Sequence, residues 1–249
     1  MAHCGSTLLA RALDELGDNL VLREPFALRQ IGFEPADARL PALLGLLARR
    51  YDINAPSIVK ANVPVNVLLP QIAAYDSSAR AILLYCGLSD YLVAVLRSEN
   101  HRVWVRTITG QLAKHLVDSS ELGDAERATA LWLFQANRFR DALVAMPNAR
   151  SLDAKVFFAR PAASLAAAAS HLAVCATPDQ IRSLVAGPLF ATYSKNPILA
   201  FDNAARVARR EAMKGALADE ISRARHWIET IGADPTYLEG TLRARSLHA

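Results

Sequence analysis

His3-Cys4-Gly5-Ser6-Thr7-Leu8-Leu9 runs straight into an amphipathic helical stretch, residues 10–16. A Gly followed by two hydroxyls at a helix start suits a phosphate. Gly5 lets the backbone come close, the free N–H groups of the first turn point outward, the helix dipole adds partial positive charge, and Ser6 and Thr7 supply further donors. Read alone, the heptapeptide serves equally well as an ordinary N-cap. A phosphate loop of this kind hangs from the end of a buried strand, and almost nothing precedes His3. Two expectations follow: the natural chain starts upstream of Met1, or the fold has lost its first strand.

The segments that follow favour the phosphate loop. Asn19-Leu20-Val21-Leu22-Arg23 reads as a short buried strand ending in Glu24-Pro25, a charged residue at a strand's carboxyl end. Ligands of open α/β sheets sit at that edge. Similar apolar runs end in polar or small residues at 57–62 and 79–87, and a fourth, 149–155, follows a long helical block. Apolar strands alternating with helices predict a parallel sheet covered on both faces. The expected fold is therefore a helix-rich α/β domain with four to five parallel strands flanked by helices. It spans 1–249 as a single domain, with a helical C-terminal extension from about 203.

In the order of its elements, roughly residues 1–200, the chain resembles the nucleotide-dependent sulfotransferases. The resemblance rests on HCGSTLLARALDEL at the start, VLREP at a strand end, VKANVPVNVLLPQI, ARAILLYCGLSDYLVAVLR and SLDAKVFFARPAASLAAAASHL. It implies a P-loop-like architecture and transfer of a sulfuryl group from 3'-phosphoadenosine 5'-phosphosulfate (PAPS) to a hydroxyl or amine of a small-molecule acceptor. The loop residues Cys4, Gly5, Ser6, Thr7 and Leu8 then bind the phosphosulfate. His3 occupies the position of the family's Lys or Arg that stabilises the departing bridging oxygen. An imidazole does this only when protonated, and its ordinary pKa is about 6.5. Glu24 resembles the carboxylate that accepts the acceptor's proton, a role the reaction needs because a neutral hydroxyl is a poor nucleophile. A surface pairing of Glu24 with Arg23 or Arg29 is the plainer alternative.

The resemblance also implies an Arg and a Ser that grip the 3'-phosphate, and alignment through Asp90 puts Cys86 and Ala94 there instead. Ser89, Arg97 and Ser98 are nearby substitutes if the register shifts. Two lysines are candidate phosphate contacts: Lys60, at the end of the strand over 57–60, and Lys195, in an irregular late segment that resembles the basic loop closing the family's nucleotide site. A non-catalytic nucleotide- or phosphate-binding relative is the alternative function, favoured by Cys86 and Ala94. A P-loop kinase or NTPase ranks lower because Gly5 is followed by Ser6 rather than Lys.

Composition narrows the remaining classes. With 249 residues, 52% of them hydrophobic, the chain can bury one sizeable core. No apolar run nears the roughly 18 residues a membrane helix needs, and no leader pattern opens the sequence, so a cytoplasmic protein without a membrane partner is expected. The net charge is +4, from 28 basic and 24 acidic residues. The densest basic stretch, 206–225, interleaves both signs and reads as a solvated helix face, which argues against nucleic acid. Cys4, Cys86 and Cys175 are far apart and read as reduced thiols, and no ligand spacing points to a metal. Helices are expected over 88–96, 103–117 and 125–145, broken at 118–120, with Trp104, Trp132, Leu133 and Phe134 in the core. His101 and His115 read as ordinary helical histidines.

Overall fold

A computed structural model describes residues 1–34, 38–117, 121–193 and 196–248. Its elements run α1 (Ser6–Asp14), β1 (Leu20–Arg23), α2 (Phe26–Ile31), α3 (Leu40–Leu47), β2 (Ser57–Lys60), a 3-10 segment (Val63–Leu68), α4 (Leu69–Tyr75), β3 (Ala81–Tyr85), α5 (Leu88–Leu96), α6 (Glu99–Gln111), α7 (Asp124–Ala145), β4 (Ala149–Asp153), α8 (Ala154–Ala159), α9 (Pro161–His171), α10 (Pro178–Ala186), α11 (Pro188–Ala191), β5 (Thr192–Tyr193), β6 (Asn196–Ala200), α12 (Asn203–Ala216), α13 (Ala218–Thr230) and α14 (Pro235–Arg243). The result is a helix-rich α/β protein, and all four expected apolar runs form strands.

Their pairing differs from a single sheet. β1 and β2 pair in parallel, Leu20 opposite Ser57 through Arg23 opposite Lys60, and β3 and β4 pair in parallel, Ala81 opposite Ala149 through Tyr85 opposite Asp153. β5 and β6 form an antiparallel hairpin, and no described strand joins β2 to β3. The strand expected over 79–87 shortens because Ala79 N–H bonds back to Asp76 O in a turn. The run over 149–155 ends at Asp153, whose carboxylate caps α8 by accepting from Lys155 N at 2.7 Å.

The main core gathers α1, β3, β4, α5, α7, α9, α13 and α14. α7 lies at its centre because apolar residues surround most of its circumference: Trp132, Leu131, Ala128 and Ala136 are fully enclosed. The Trp132 indole donates to Cys86 O at 2.9 Å, tying the helix to the end of β3. Trp104 is half-buried rather than core, since α6 packs with only part of its surface inward. Two smaller clusters lie beside the main core, one joining Val63 and Val67 to Ile108, Leu112 and Phe134, the other joining α2, α3 and the 3-10 segment. The helix expected over 103–117 runs instead from Glu99 to Gln111 and gives way to a 3-10 turn, Ala113–His115. The expected break at 118–120 lies outside the described residues. α12, α13 and α14 make up the helical C-terminal part, after which Ser246 bridges in parallel to Ser151 along the outer edge of β4. No helix among the described residues is long and apolar enough to cross a membrane.

Candidate functional site

The opening loop lies at the carboxyl edge of the strands. α1 returns to β1 through residues 15–19 and packs on it, so the helix's N-terminus and the end of β1 lie at one edge. Gly5 caps α1 in the left-handed conformation, φ 92°, with no side-chain cap, which leaves the first-turn N–H groups facing outward. His3 is also left-handed, φ 58°. The structure directs Cys4 and Leu8 inward, so only their backbones can reach a ligand. Cys4 is fully buried and its thiol donates to Met1 O at 2.7 Å. Ser6 and Thr7 are half-exposed.

Two aromatic walls flank the loop. On one side the His3 ring lies 4.8 Å from that of His101 and edge-on to Trp104 at 5.4 Å. Arg97 Nη2 is 3.0 Å from His101 Nε2, and Ser98 Oγ is 2.5 Å from His101 Nδ1. A guanidinium only donates, so Nε2 accepts and Nδ1 carries the ring proton toward Ser98. Arg97 and Ser98 sit at the junction between α5 and α6, which folds them back toward His3. On the other side Phe158 lies over Gly5 so closely that a Cβ there would come within 2.8 Å of its ring. Arg206 of α12 stacks on that ring at 4.3 Å, and Phe201 packs against it.

Glu24 and Lys60 come together. Glu24 N–H donates to Lys60 O at 2.7 Å, and the two side chains form an ion pair, with the lysine mostly enclosed and the carboxylate half-exposed. Lys60 is thus committed to Glu24, and Glu24 pairs with neither Arg23 nor Arg29; Arg29 lies over Phe33 instead. Glu24 is left-handed, φ 55°, a conformation a non-glycine residue rarely adopts. Lys195 lies outside the described residues.

At the end of β3, Cys86 is buried, and burial pushes its thiol up, helped by Cys4. Burial likewise raises the Tyr85 phenol to about 12. Ser89 is half-buried in the first turn of α5, and Ala94 is half-buried on the same helix. The N-terminus of α5 is already served by a carboxylate, because Leu88 N–H donates to Glu239 Oε1 at 2.9 Å.

A second charged cluster lies beside this strand end, and sequence reasoning missed it. Asp90 is 2% exposed, with Lys155 Nζ at 3.0 Å, Arg210 Nη1 at 3.2 Å and Lys214 Nζ at 3.6 Å. The Asp90 carboxylate raises the pKa of Lys155. The reading of 206–225 as a solvated face holds for Arg209, Glu211, Asp219 and Arg223, which are exposed, and is corrected for Arg210 and Lys214, which point at the buried Asp90 carboxylate, and for Glu220, which pairs with Arg102. The signal available in sequence was Lys155, two residues beyond a strand end.

No family model, curated protein or solved structure matches the chain.

Proposed function

We propose that the protein binds a phosphosulfate nucleotide, PAPS, at the Gly5 loop and transfers its sulfuryl group to a hydroxyl or amine of a small acceptor in the cytoplasm. This reading includes a parallel sheet of four to five strands in a P-loop-like arrangement. The observation that carries it is the left-handed, uncapped Gly5 at the start of α1, placed at the same strand edge as the Glu24 carboxylate.

In this scheme the first-turn N–H groups, Ser6 and Thr7 bind the anionic group. The acceptor oxygen attacks sulfur in line with the bridging oxygen; the new S–O bond forms as the bridging S–O bond breaks. Glu24 takes the acceptor's proton, and the ion pair with Lys60 holds that carboxylate in place. The leaving phosphate carries away the electron pair, and His3, protonated by the anion's presence, compensates its charge. Arg97 and Ser98, linked to His3 through His101, provide a cation and a hydroxyl near the loop that Cys86 and Ala94 do not. Ser89 remains a candidate contact at the start of α5, and Lys195 a candidate phosphate contact.

A second reading, a phosphate-binding relative without transferase activity, is favoured by Glu239. Its carboxylate already serves the α5 N-terminus, next to the position where the resemblance places the 3'-phosphate. Calorimetric titration with adenosine 3',5'-bisphosphate, adenosine 5'-phosphosulfate and ATP separates the readings. Preference for the bisphosphate, with Glu24→Gln abolishing turnover while sparing affinity, is the expected result. No preference among the nucleotides overturns the transferase assignment.

A further inference from the structure

Between α3 and β2 the chain leaves the body of the fold and returns to it. Ser57 Oγ donates to Leu47 O at 2.6 Å, so the two ends of the loop over 48–56 are tied together. Inside the loop Asp52 builds a turn: its Oδ1 accepts from Asn54 N at 2.7 Å and its carbonyl from Ala55 N at 3.2 Å. Arg50 Nη1 donates to Ile53 O at 3.3 Å and braces the same turn. A loop closed at its base and held by its own bonds keeps a defined shape. What this one holds out to solvent is apolar, for Tyr51 is 91% exposed and Ile53 85%.

α3 widens the apolar surface. Leu40, Leu43, Leu44 and Leu47 belong to the cluster shared with α2 and the 3-10 segment, yet the exposed residues Ala42, Gly45 and Leu46 are apolar too. Surface helices ordinarily carry polar residues on that side, and α3 has none at any position. Tyr75 of α4, half-exposed, continues the surface, its hydroxyl 3.6 Å from where a Cβ on Gly45 would sit. A contiguous exposed apolar surface of this kind marks an interaction site.

Charge indicates what covers it. From 39 to 56 the charged residues are Arg39, Arg49, Arg50 and Asp52. Arg49 and Arg50 are exposed beside the apolar tip, whereas the Asp52 carboxylate is engaged in the turn. A second copy of the chain would set these arginines against their own counterparts. A bilayer with anionic headgroups meets both features, taking apolar side chains below the headgroups and guanidinium groups among the phosphates.

We propose that the loop over 48–56, together with the outer side of α3, docks on an anionic lipid bilayer. Tyr51 and Ile53 enter the headgroup boundary, where a tyrosine ring is apolar and its hydroxyl stays wet. Arg49 and Arg50 hold the protein to the surface by charge. Docking of this kind needs no spanning helix. Hydropathy along the sequence registers spans, which is why it pointed to a protein without a membrane partner. The inference does not rest on the nucleotide chemistry of the Gly5 loop.

Sedimentation of the full chain with lipid vesicles tests the proposal. Phosphatidylcholine vesicles with about 30 mol% phosphatidylserine should bind about tenfold or more tightly than phosphatidylcholine alone, and raising salt from about 0.1 to 0.5 M should release the protein. Tyr51→Ser combined with Ile53→Ser should weaken binding about tenfold or more and leave the unfolding midpoint unchanged, because both side chains lie in solvent. Arg49→Gln should weaken binding to the anionic vesicles about fivefold. Tyr51→Trp should add fluorescence that brominated acyl chains quench beyond the quenching seen in the parent chain. No sedimentation, equal sedimentation with both kinds of vesicle, or unaltered affinity in the double Ser variant overturns the proposal. So does self-association on size-exclusion chromatography that the double Ser variant abolishes, which assigns the surface to a second copy.

Discussion

β3–β4 and β1–β2 are built alike and used differently. In β3–β4, Leu83, Leu84, Tyr85, Ala149, Ser151 and Leu152 are all buried, beneath α5, α7 and α14, and the tail along β4 adds hydrogen bonds at the outer edge. In β1–β2, no residue is fully buried, and the strand ends carry the Glu24–Lys60 pair. The more deeply packed half supplies stability; the less enclosed half presents charge at the strand edge where a ligand can reach it. Local stability in a fold follows buried contacts and protected hydrogen bonds, so the half bearing the candidate base is also the half expected to open first.

The largest effects should separate the two halves. Leu152→Ala in β4 is expected to cost about 2–5 kcal/mol in urea unfolding, the range for emptying a well-packed site. Leu22→Ala, half-exposed in β1, should cost about 1 kcal/mol. Equal losses would remove the distinction. Trp132→Phe keeps most of the ring but leaves the buried Cys86 carbonyl without its donor, a cost of about 1–3 kcal/mol by the same measurement.

Gly5→Ala probes the loop that links the halves. A Cβ in a left-handed backbone and 2.8 Å from Phe158 should cost about 1–3 kcal/mol and weaken phosphate affinity. Gly215→Ala, in open space on α12, should instead stabilise by about 0.5–1 kcal/mol.

The smallest effect is a pH dependence carried by a histidine of the packed half. His171, the last residue of α9, reaches the first residue of β3 with its Nε2 3.2 Å from Ala81 O, and burial lowers its pKa below the ordinary value, with Arg150 and Arg80 adding repulsion. The unfolded chain then binds the proton first as pH falls. The contribution of His171 is complete above about pH 6.5 and is lost as pH falls through the folded-state pKa. The urea midpoint should drop between pH 7.5 and 5.5, and less so in His171→Gln. An unchanged drop in the variant would assign it to other groups.

Much of this was visible in the residues themselves. Runs at 19–23, 57–62, 79–87 and 149–155 announced four strands, each by an apolar stretch that ends in polar or small residues, and the strands form within those bounds at 20–23, 57–60, 81–85 and 149–153. The helix after Gly5 and the long α7 were visible through their periodicity. The pairing of strands was not, because it depends on contacts between segments tens of residues apart. The same limit hid the Asp90 cluster, in which Lys155, Arg210 and Lys214 converge from two further helices, the last two out of a stretch whose other charges face solvent. It also hid the partner of Glu24: Arg23 and Arg29 are near in sequence, whereas Lys60 is near only because β1 and β2 lie side by side.

By itself the sequence determined the kinds of element and one local conformation. Strand and helix follow from hydrophobic period, and a Gly before two hydroxyls permits a left-handed turn opening onto free N–H groups. Which charges meet, which thiols are enclosed, and that the parallel strands pair two by two, with no described strand between β2 and β3, came from long-range packing. Those outcomes depend on desolvation and on distances across the chain, and neither is encoded in the spacing of neighbouring residues.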